Sequence, residues 1–260
     1  MALMHVNFFS DTLGMAVDMD AIIPQAAGEQ KDLKIAADGG PYKTLYLLHG
    51  MSDNQTIWQR RTSIERYAAE LGLAVIMPST QLGWYTDMHH GLKWWTYISD
   101  ELPKICRKFF PLSDKREDTF AAGLSMGGYG AAKLGLGAGE TFSYVASLSG
   151  ALDIGTMFDT PELTDDNKTF WYNIFGSAEN FKNSDNDLLA LAVKRKEKGM
   201  MPKIYQWCGT EDFLYQQNLT FRDHARKLGY DLTYEDGPGD HQWKYWDSII
   251  QRVLEWLPIK

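Results

Sequence analysis

The stretch TFAAGLSMGGYGAAKLGL, residues Thr119–Leu136, decides the fold of this chain. It opens with a short apolar run, Thr119–Ala122, that is typical of a buried strand, and it closes with Gly127–Leu136, which we interpret as a helix. Between them Gly123–Gly127 reads GLSMG, the G-x-S-x-G pattern of a sharp strand-to-helix turn. The sequence therefore predicts that Ser125 lies at the tip of a turn beyond the end of a strand.

The predicted turn gives Ser125 a chemical role. It raises the hydroxyl above the carboxyl edge of a sheet, and the glycines two positions before and after leave room for neighbouring elements. Ser125 also begins a helix, where free N–H groups and the helix dipole favour negative charge. The five-residue pattern alone also fits a purely structural turn. The flanking strand and helix favour a nucleophile for acyl transfer.

Strands and helices alternate along the rest of the chain. Predicted strands lie at Met4–Ser10, Met15–Ile23, Thr44–His49, Ala74–Met77, Thr119–Ala122, Tyr144–Leu148, Lys203–Trp207 and Leu232–Glu235. Predicted helices lie at Thr62–Leu71, Trp94–Phe110, Gly127–Leu136, Asp187–Glu197, Leu214–Leu228 and Gln242–Leu257. The first two strands are expected to form a β-hairpin or edge strands that open the domain, and the alternation that follows predicts an α/β fold with a mostly parallel sheet and helices on both faces. Gln25–Pro41 is expected to be an exposed loop, and Asp153–Asn186 an irregular insertion in the cap position.

Size and charge limit the class of function. At 260 residues the chain can form one complete core, and we expect a single domain over residues 1–260. The net charge of −8 argues against nucleic acid and anionic membranes as partners, because both bind basic faces. The first residues include Asp11, Asp18 and Asp20 where a secretion signal would be apolar, and no apolar run has the length of a membrane helix. A cytoplasmic protein is expected, with a homo-oligomer kept as an alternative to a monomer.

A serine nucleophile needs a base, and position along the chain selects one histidine. In this kind of site the order is serine, acid, histidine. Four of the six histidines precede Ser125, and His224 lies inside a predicted helix. His241 lies in the glycine-rich loop EDGPGDHQW, between the last strand and the last helix. We therefore predict His241 as the base.

The acid is expected on the exit loop of the preceding strand, CGTED. Asp212 is the preferred residue, with Glu211 as the alternative. Asp236 and Asp240 are closer to His241 in sequence. A carboxylate on an independent strand end is better placed to reach the imidazole Nδ1 from the side and to hold one tautomer.

An oxyanion hole is predicted from two backbone N–H groups. One belongs to Met126, directly after the serine, and the other to Met51 in the loop HGMS. Gly50 lets this loop approach the substrate closely, so it is also a candidate substrate-binding residue. His49 is interpreted as a structural residue that organises the loop.

Other chemistries have weaker support. Cys208 could serve as a thiol nucleophile, but it lies at a strand end without a turn of this kind, where a small buried residue is typical. The side chains of the adjacent pair His89 and His90 diverge on regular backbone. Zinc, calcium and nucleotide-binding motifs do not occur, so neither a metal nor a cofactor is predicted. With two cysteines and no CxxC spacing, a reducing compartment is the simpler assumption.

Five motifs in order resemble the bacterial tributyrin esterases, in the esterase D and S-formylglutathione hydrolase-like group of α/β-hydrolases. The motifs are YLLHGMSDNQTIWQR (Tyr46–Arg60), GWYTD (Gly83–Asp87), AGLSMGGYGA (Ala122–Ala131), WCGTEDFLY (Trp207–Tyr215) and GDHQWKYW (Gly239–Trp246). The resemblance extends from Tyr46 to Pro258. It implies an α/β-hydrolase fold with a small cap or none, and a serine carboxylesterase for short acyl groups such as acetyl to butyryl, aryl and acetylated-sugar esters. It also implies that Ser125, Asp212 and His241 form the catalytic triad.

Several alternatives stay open within and beyond this group. S-formylglutathione hydrolases usually carry a cysteine shortly after HGL, whereas this chain has HGMSDN, which makes the glutathione thioester less favoured. Feruloyl and acetylxylan esterases share the architecture. Acyl transfer to a sugar or lipid instead of water is a further hypothesis, and so is a ligand-binding module on an inactive scaffold. Trp84 is expected near the carboxyl rim of the sheet, either as a substrate-binding pocket wall or in plain packing.

Overall fold

The computed structural model describes residues 1–25, 39–158 and 164–259, which build an eight-stranded sheet with flanking helices. The strands are β1 (Ala2–Ser10), β2 (Met15–Ile23), β3 (Thr44–Leu48), β4 (Ala74–Pro78), β5 (Thr119–Leu124), β6 (Tyr144–Leu148), β7 (Lys203–Gly209) and β8 (Leu232–Gly237). Their order across the sheet is β1-β2-β4-β3-β5-β6-β7-β8. Each of them coincides with a predicted strand, and the ends differ by up to two residues.

The sheet is mostly parallel. β1 and β2 form the predicted antiparallel hairpin, and β2 also runs antiparallel to β4. The other neighbouring pairs are parallel. β3, β4 and β5 are buried along their whole length, as expected for continuous apolar strands that are covered by helices on both faces. The predicted α/β-hydrolase type of sheet is confirmed.

Helices cover both faces of the sheet. They are α1 (Ile57–Arg61), α2 (Ile64–Ala69), α3 (Trp94–Thr96), α4 (Leu102–Phe109), α5 (Met126–Gly137), α6 (Gly155–Phe158), α7 (Asp165–Phe175), α8 (Ala178–Phe181), α9 (Leu188–Lys198), α10 (Tyr215–Leu228) and α11 (Trp243–Trp256). α1, α2 and α11 pack on one face, and α5, α7, α9 and α10 contribute to the core on the other. Within the described ranges, none of the helices combines the length and apolarity that crossing a membrane requires.

The structure corrects three expectations about the helices. Asp153–Asn186, expected to be irregular, contains α6, α7 and α8. The predicted helix Thr62–Leu71 is shorter and follows α1, which the sequence did not predict. The predicted helix Trp94–Phe110 includes a π-helical turn, Tyr97–Glu101, between α3 and α4. Pro103 follows this turn, and because proline has no N–H it cannot continue the regular helical hydrogen bonds. Most of the predicted loop Gln25–Pro41 lies outside the described residues.

Parallel pairing places several strand ends at one edge of the sheet. Leu48, the last residue of β3, pairs with Gly123 in β5, and Leu124 pairs with Leu148 of β6. β7 and β8 end in register at Gly209 and Gly237. The segments that follow these ends therefore begin at the same edge, which is where ligands bind in open α/β sheets.

Candidate active site

Ser125 lies at the strand-to-helix turn between β5 and α5, as the sequence predicts. Its backbone has φ 53° and ψ −120°, a left-handed conformation that is uncommon for a residue other than glycine. A Cβ on Gly123 would lie 2.3 Å from the Gly127 carbonyl oxygen, and a Cβ on Gly127 would lie 2.5 Å from that of Leu48. Both glycines are therefore required by close backbone contact, which confirms the steric reason for the pattern.

Backbone hydrogen bonds hold the strained turn. The Ser125 N–H donates to the Leu148 oxygen at 3.0 Å, and the Ser125 carbonyl accepts from the Ala151 N–H at 3.3 Å. These bonds fix Ser125 to the end of β6 and to the loop that follows it. Strain of this kind persists only where the surrounding structure maintains it, and it is concentrated at functional sites.

Asp212 and His241 are in direct contact at the same edge. His241 Nδ1 lies 2.8 Å from Asp212 Oδ2, and the other carboxylate oxygen of Asp212 accepts from the Leu214 N–H at 2.9 Å. Because an ionised carboxylate can only accept, the imidazole proton lies on Nδ1. In the neutral ring the lone pair that can accept a proton is then on Nε2.

Asp212 is held in its ionised form. Its side chain is fully buried, whereas that of His241 is 21% exposed. Burial acts to raise the pKa of the Asp212 carboxyl, but the hydrogen bonds from His241 and the Leu214 N–H outweigh it, and the pKa lies below its usual value. A charged acceptor strengthens the bond to His241 and fixes the orientation of the ring.

The other three acids considered for this role have different partners. The Glu211 carboxylate accepts from the Gly239 N–H and so ties the β7 exit loop to the loop that carries His241. Asp236 accepts from the hydroxyls of Tyr215 and Tyr234. Asp240 accepts from the Gln242 side chain at 2.5 Å. Of the four carboxylates, Asp212 is the one that contacts the imidazole.

Two residues that the sequence analysis missed support His241. Its ring packs against the Trp246 ring with centroids 4.8 Å apart, and Trp246 Nε1 donates to Ser149 Oγ at 3.1 Å. Ser149 has φ 47° and follows the end of β6, next to the contacts that hold Ser125. Its hydroxyl also helps to lower the pKa of Asp212. In the sequence, Ser149 could have been recognised as a polar residue directly after a buried strand. No local sequence pattern indicates the role of Trp246.

The His49–Met51 segment lies beside Ser125. A Cβ on Gly50 would lie 2.7 Å from Leu124 Cδ1 and 3.6 Å from the Ser125 Cβ. The N–H of Met126 is at the free N-terminal end of α5. Gly50 and the backbone of Met126 are thus next to Ser125, where an oxyanion hole would have to be. The Met51 side chain is 47% exposed, and its backbone is what matters here.

His49 fixes the direction of the Gly50–Met51 peptide. His49 Nε2 accepts from the Thr80 N–H at 3.0 Å, so the proton lies on Nδ1, which donates to the Gly50 oxygen at 2.8 Å. In a trans peptide the carbonyl and the following N–H point in opposite directions. The Met51 N–H therefore points away from His49. This agrees with the interpretation of His49 as the organising residue of the loop.

Trp84 is 4% exposed and lies inside an aromatic cluster. Its ring centroid is 4.9 Å from that of Trp171 and 5.9 Å from that of Tyr129. Trp171 belongs to α7, so the predicted insertion packs directly on the loop that carries Trp84. This environment favours packing over an open pocket wall, and a role of Trp84 in substrate binding stays a prediction.

Comparison with known proteins assigns the chain to a family. Residues 31–257 match the profile of the family described as "Putative esterase". The chain belongs to this esterase family. It is 35% identical to the acetyl esterase of Caldicellulosiruptor saccharolyticus, over 99% of this chain and 98% of the relative.

Two solved structures from Staphylococcus aureus are similar to this esterase. Fluorophosphonate-binding serine hydrolase F is 38% identical, with a TM-score of 0.87 and coverage of 100% of this chain and 98% of the other. An S-formylglutathione hydrolase is 37% identical, with a TM-score of 0.84 and coverage of 100% and 99%. The protein is thus a serine esterase, a carboxylic ester hydrolase that is similar in structure to an S-formylglutathione hydrolase. The narrower assignment to tributyrin esterases stays a prediction.

The buried His49 predicts a specific pH dependence of stability. Burial lowers the pKa of His49 to about 4, although its bond to Gly50 acts in the opposite direction; a histidine in an unfolded chain titrates near pH ~6.5. Between these values the unfolded chain binds a proton that the folded protein excludes. The free energy of unfolding should therefore fall as the pH falls, by up to about 1.4 kcal/mol per pH unit from this residue.

His49→Asn tests this prediction, since its amide can still donate to the Gly50 oxygen. Urea unfolding of both proteins between pH 7 and pH 4 gives the difference in stability. Above about pH 6.5 the difference in free energy of unfolding between wild type and His49→Asn should be constant. It should shrink steadily towards pH 4. A difference that does not change with pH would show that His49 is not held neutral.

Proposed function

We propose that this esterase is a serine carboxylesterase that hydrolyses short-chain acyl esters through an acyl-enzyme intermediate, with Ser125 as the nucleophile. The observation that carries the proposal is the Asp212–His241 hydrogen bond, which leaves Nε2 free at the edge where the strained turn presents Ser125. Membership of the esterase family and the similarity to a serine hydrolase support it.

In the first half of the proposed reaction, Ser125 Oγ forms a bond to the ester carbonyl carbon while His241 Nε2 takes the hydroxyl proton. The carbonyl becomes an oxyanion, which the N–H groups of Met51 and Met126 stabilise. When the intermediate collapses, the bond to the alkoxy oxygen breaks and His241 returns the proton to the leaving alcohol. Asp212 keeps the imidazole in the required tautomer and stabilises its positive charge.

In the second half, water replaces the alcohol. His241 takes a proton from water, the hydroxide attacks the acyl carbon, and the same two N–H groups stabilise the second oxyanion. Collapse releases the carboxylic acid and restores the Ser125 hydroxyl with the proton from His241. The substrate partner is a small-molecule ester, and the 35% identity to an acetyl esterase supports a short acyl group.

Ser125→Ala tests the nucleophile. Turnover of p-nitrophenyl acetate and butyrate should fall by roughly 10⁴- to 10⁶-fold in kcat, because no acyl-enzyme can form. Labelling by a fluorophosphonate should disappear in the same variant. Ser248→Ala, on the exposed side of α11, is the matched control and should keep both activities. Full turnover by Ser125→Ala would refute the mechanism.

Asp212→Asn tests the acid. The amide can donate to Nδ1 and so favours the wrong imidazole tautomer, which should lower kcat by about 10⁴-fold with a smaller change in KM. Asp236→Asn removes a carboxylate from the neighbouring strand end and should stay close to wild type. If Asp236→Asn were the damaging variant and Asp212→Asn the neutral one, the assignment of the acid would be wrong.

S-formylglutathione hydrolysis is the second candidate, supported by the 37% identity to the Staphylococcus aureus enzyme. The HGMSDN loop, which lacks the cysteine usual in that group, favours oxygen esters instead. We expect kcat/KM for p-nitrophenyl acetate to exceed that for S-formylglutathione. Parallel kinetics on the two substrates measure this ratio, and the reverse order would make the thioester the proposed substrate.

A further inference from the structure

Lys133 is a buried cation that the proposed mechanism does not use. It lies on α5, about two turns after Ser125, and the residue is 1% exposed. Its ammonium donates to the Tyr85 carbonyl at 3.2 Å, to Thr86 Oγ1 at 2.7 Å and to Asn186 Oδ1 at 2.6 Å. These three uncharged oxygen atoms use all three of its donors.

An ammonium in this position is unfavourable by itself. Burial lowers the pKa of Lys133 to about 7, while the more distant Asp87 and Asp185 act in the opposite direction. Among the residues that the structure describes, no carboxylate forms an ion pair with Lys133, and the nearby Asp185 pairs with another lysine. A buried charge without such a partner generally destabilises a protein relative to an apolar side chain of similar size. The hydrogen bonds of Lys133 and its position over the Trp95 and Tyr129 rings, 4.7 and 5.7 Å from their centroids, offset this cost, and the hydrogen bonds also hold the segments that supply the acceptors.

The Tyr85 carbonyl that Lys133 binds belongs to a strained turn. Trp84 and Tyr85 have φ values of 50° and 49°. Two consecutive bulky residues in this left-handed region are rare, and each is expected to cost about 1–3 kcal/mol. Such a turn persists only if other groups hold it, and the Lys133 ammonium is one of them.

The strained turn reaches the predicted oxyanion loop. The Tyr85 hydroxyl donates to the His49 carbonyl at 2.8 Å. The Tyr85 ring also packs against α5, where a Cβ on Gly130 would lie 2.5 Å from it. His49 in turn holds the Gly50 carbonyl and so directs the Met51 N–H. Lys133, Tyr85 and His49 thus form a continuous series of contacts that leads to the peptide beside Ser125.

The same ammonium also holds the end of the insertion. Asn186 binds Lys133 through its side chain, and its backbone carbonyl accepts from the Tyr129 hydroxyl at 2.9 Å. Tyr129 and Lys133 are neighbours on α5. One short section of this helix therefore fixes both the strained turn and the segment that leads into α9.

We propose that Lys133 is a positioning residue for the oxyanion hole: it maintains the strained Trp84–Tyr85 turn, through which Tyr85 and His49 keep the Met51 N–H directed at the reacting carbonyl. This inference rests on the proposed function. Oxyanion donors act mainly in the transition state, so a small displacement of the loop lowers kcat more than it changes KM.

Lys133→Met removes the charge and its three hydrogen bonds but keeps most of the side-chain volume. With p-nitrophenyl acetate we expect kcat to fall roughly 10- to 100-fold, with KM changed by less than about 3-fold. Lys194→Met is the matched control. The Lys194 side chain is 42% exposed, and its ammonium binds the Asn183 carbonyl and Asp185, in the segment that leads into α9. It does not contact the strained turn. This variant should keep wild-type kcat and KM.

A double-mutant cycle with Tyr85→Phe separates positioning from general damage. Tyr85→Phe removes the bond to the His49 carbonyl and keeps the ring, so it should also lower kcat with little change in KM. If both residues act through one loop, the double variant should be little worse than the poorer single variant. If the effects of Lys133→Met and Tyr85→Phe on log kcat were additive in the double variant, the inference would be overturned. Wild-type kcat in a folded Lys133→Met would overturn it as well.

Two further measurements make the result decisive. If Lys133→Met does not fold, Thr86→Val removes one acceptor of the ammonium while the lysine stays. The inference then requires kcat to fall by less than the roughly 10- to 100-fold expected for Lys133→Met, with KM unchanged. Wild-type kcat in Thr86→Val would overturn the inference. Ser125→Ala is measured alongside. Turnover by Ser125→Ala would reject the proposed function itself, whereas an inactive Ser125→Ala with an unaffected Lys133→Met rejects only the role of Lys133.

Discussion

The close backbone contact around the Ser125 turn is the constraint on which the rest of the site depends. Gly123 and Gly127 lie so close to neighbouring backbone that a Cβ on either would overlap a carbonyl group. For Gly127 that carbonyl belongs to the end of β3. This proximity brings the loop after β3 and the N-terminus of α5 together. The predicted oxyanion donors of Met51 and Met126 lie on these two segments, so they adjoin Ser125 as a consequence of glycine packing.

A similar contact joins the two loops that carry Asp212 and His241. Gly209 ends β7, and a Cβ there would lie 2.1 Å from the Gly239 oxygen. The Glu211 carboxylate accepts from the Gly239 N–H, and the Glu211 N–H donates to the Gly239 oxygen, so the two loops are held as a pair. This pairing lets Asp212 reach His241 although 29 positions separate them in the sequence.

Two histidines at this edge lie in different surroundings, which suit the different roles proposed for them. His49 is buried, accepts a hydrogen bond from a backbone N–H and has a pKa lowered to about 4, so it stays neutral and serves as a fixed support. His241 is partly exposed and contacts an ionised carboxylate, and in the proposed reaction it is the group that takes up and returns the proton. Separate environments for similar groups are the usual way in which a site divides its acid–base roles.

The sequence by itself determined the α/β architecture, the strands, the Ser125 turn and the choice of His241 by position along the chain. These follow from local patterns: apolar runs, glycine spacing and order along the chain. It misjudged Asp153–Asn186, because polar residues at the start of α7 obscure the buried Trp171, Ile174 and Phe175 at its end. Only the tertiary structure decided the bonding of His49, the support of His241 by Ser149 and Trp246, the burial of Trp84 and the contacts of Lys133. Each of these joins segments far apart in the chain, and such contacts depend on strand register and helix packing, which no local pattern encodes.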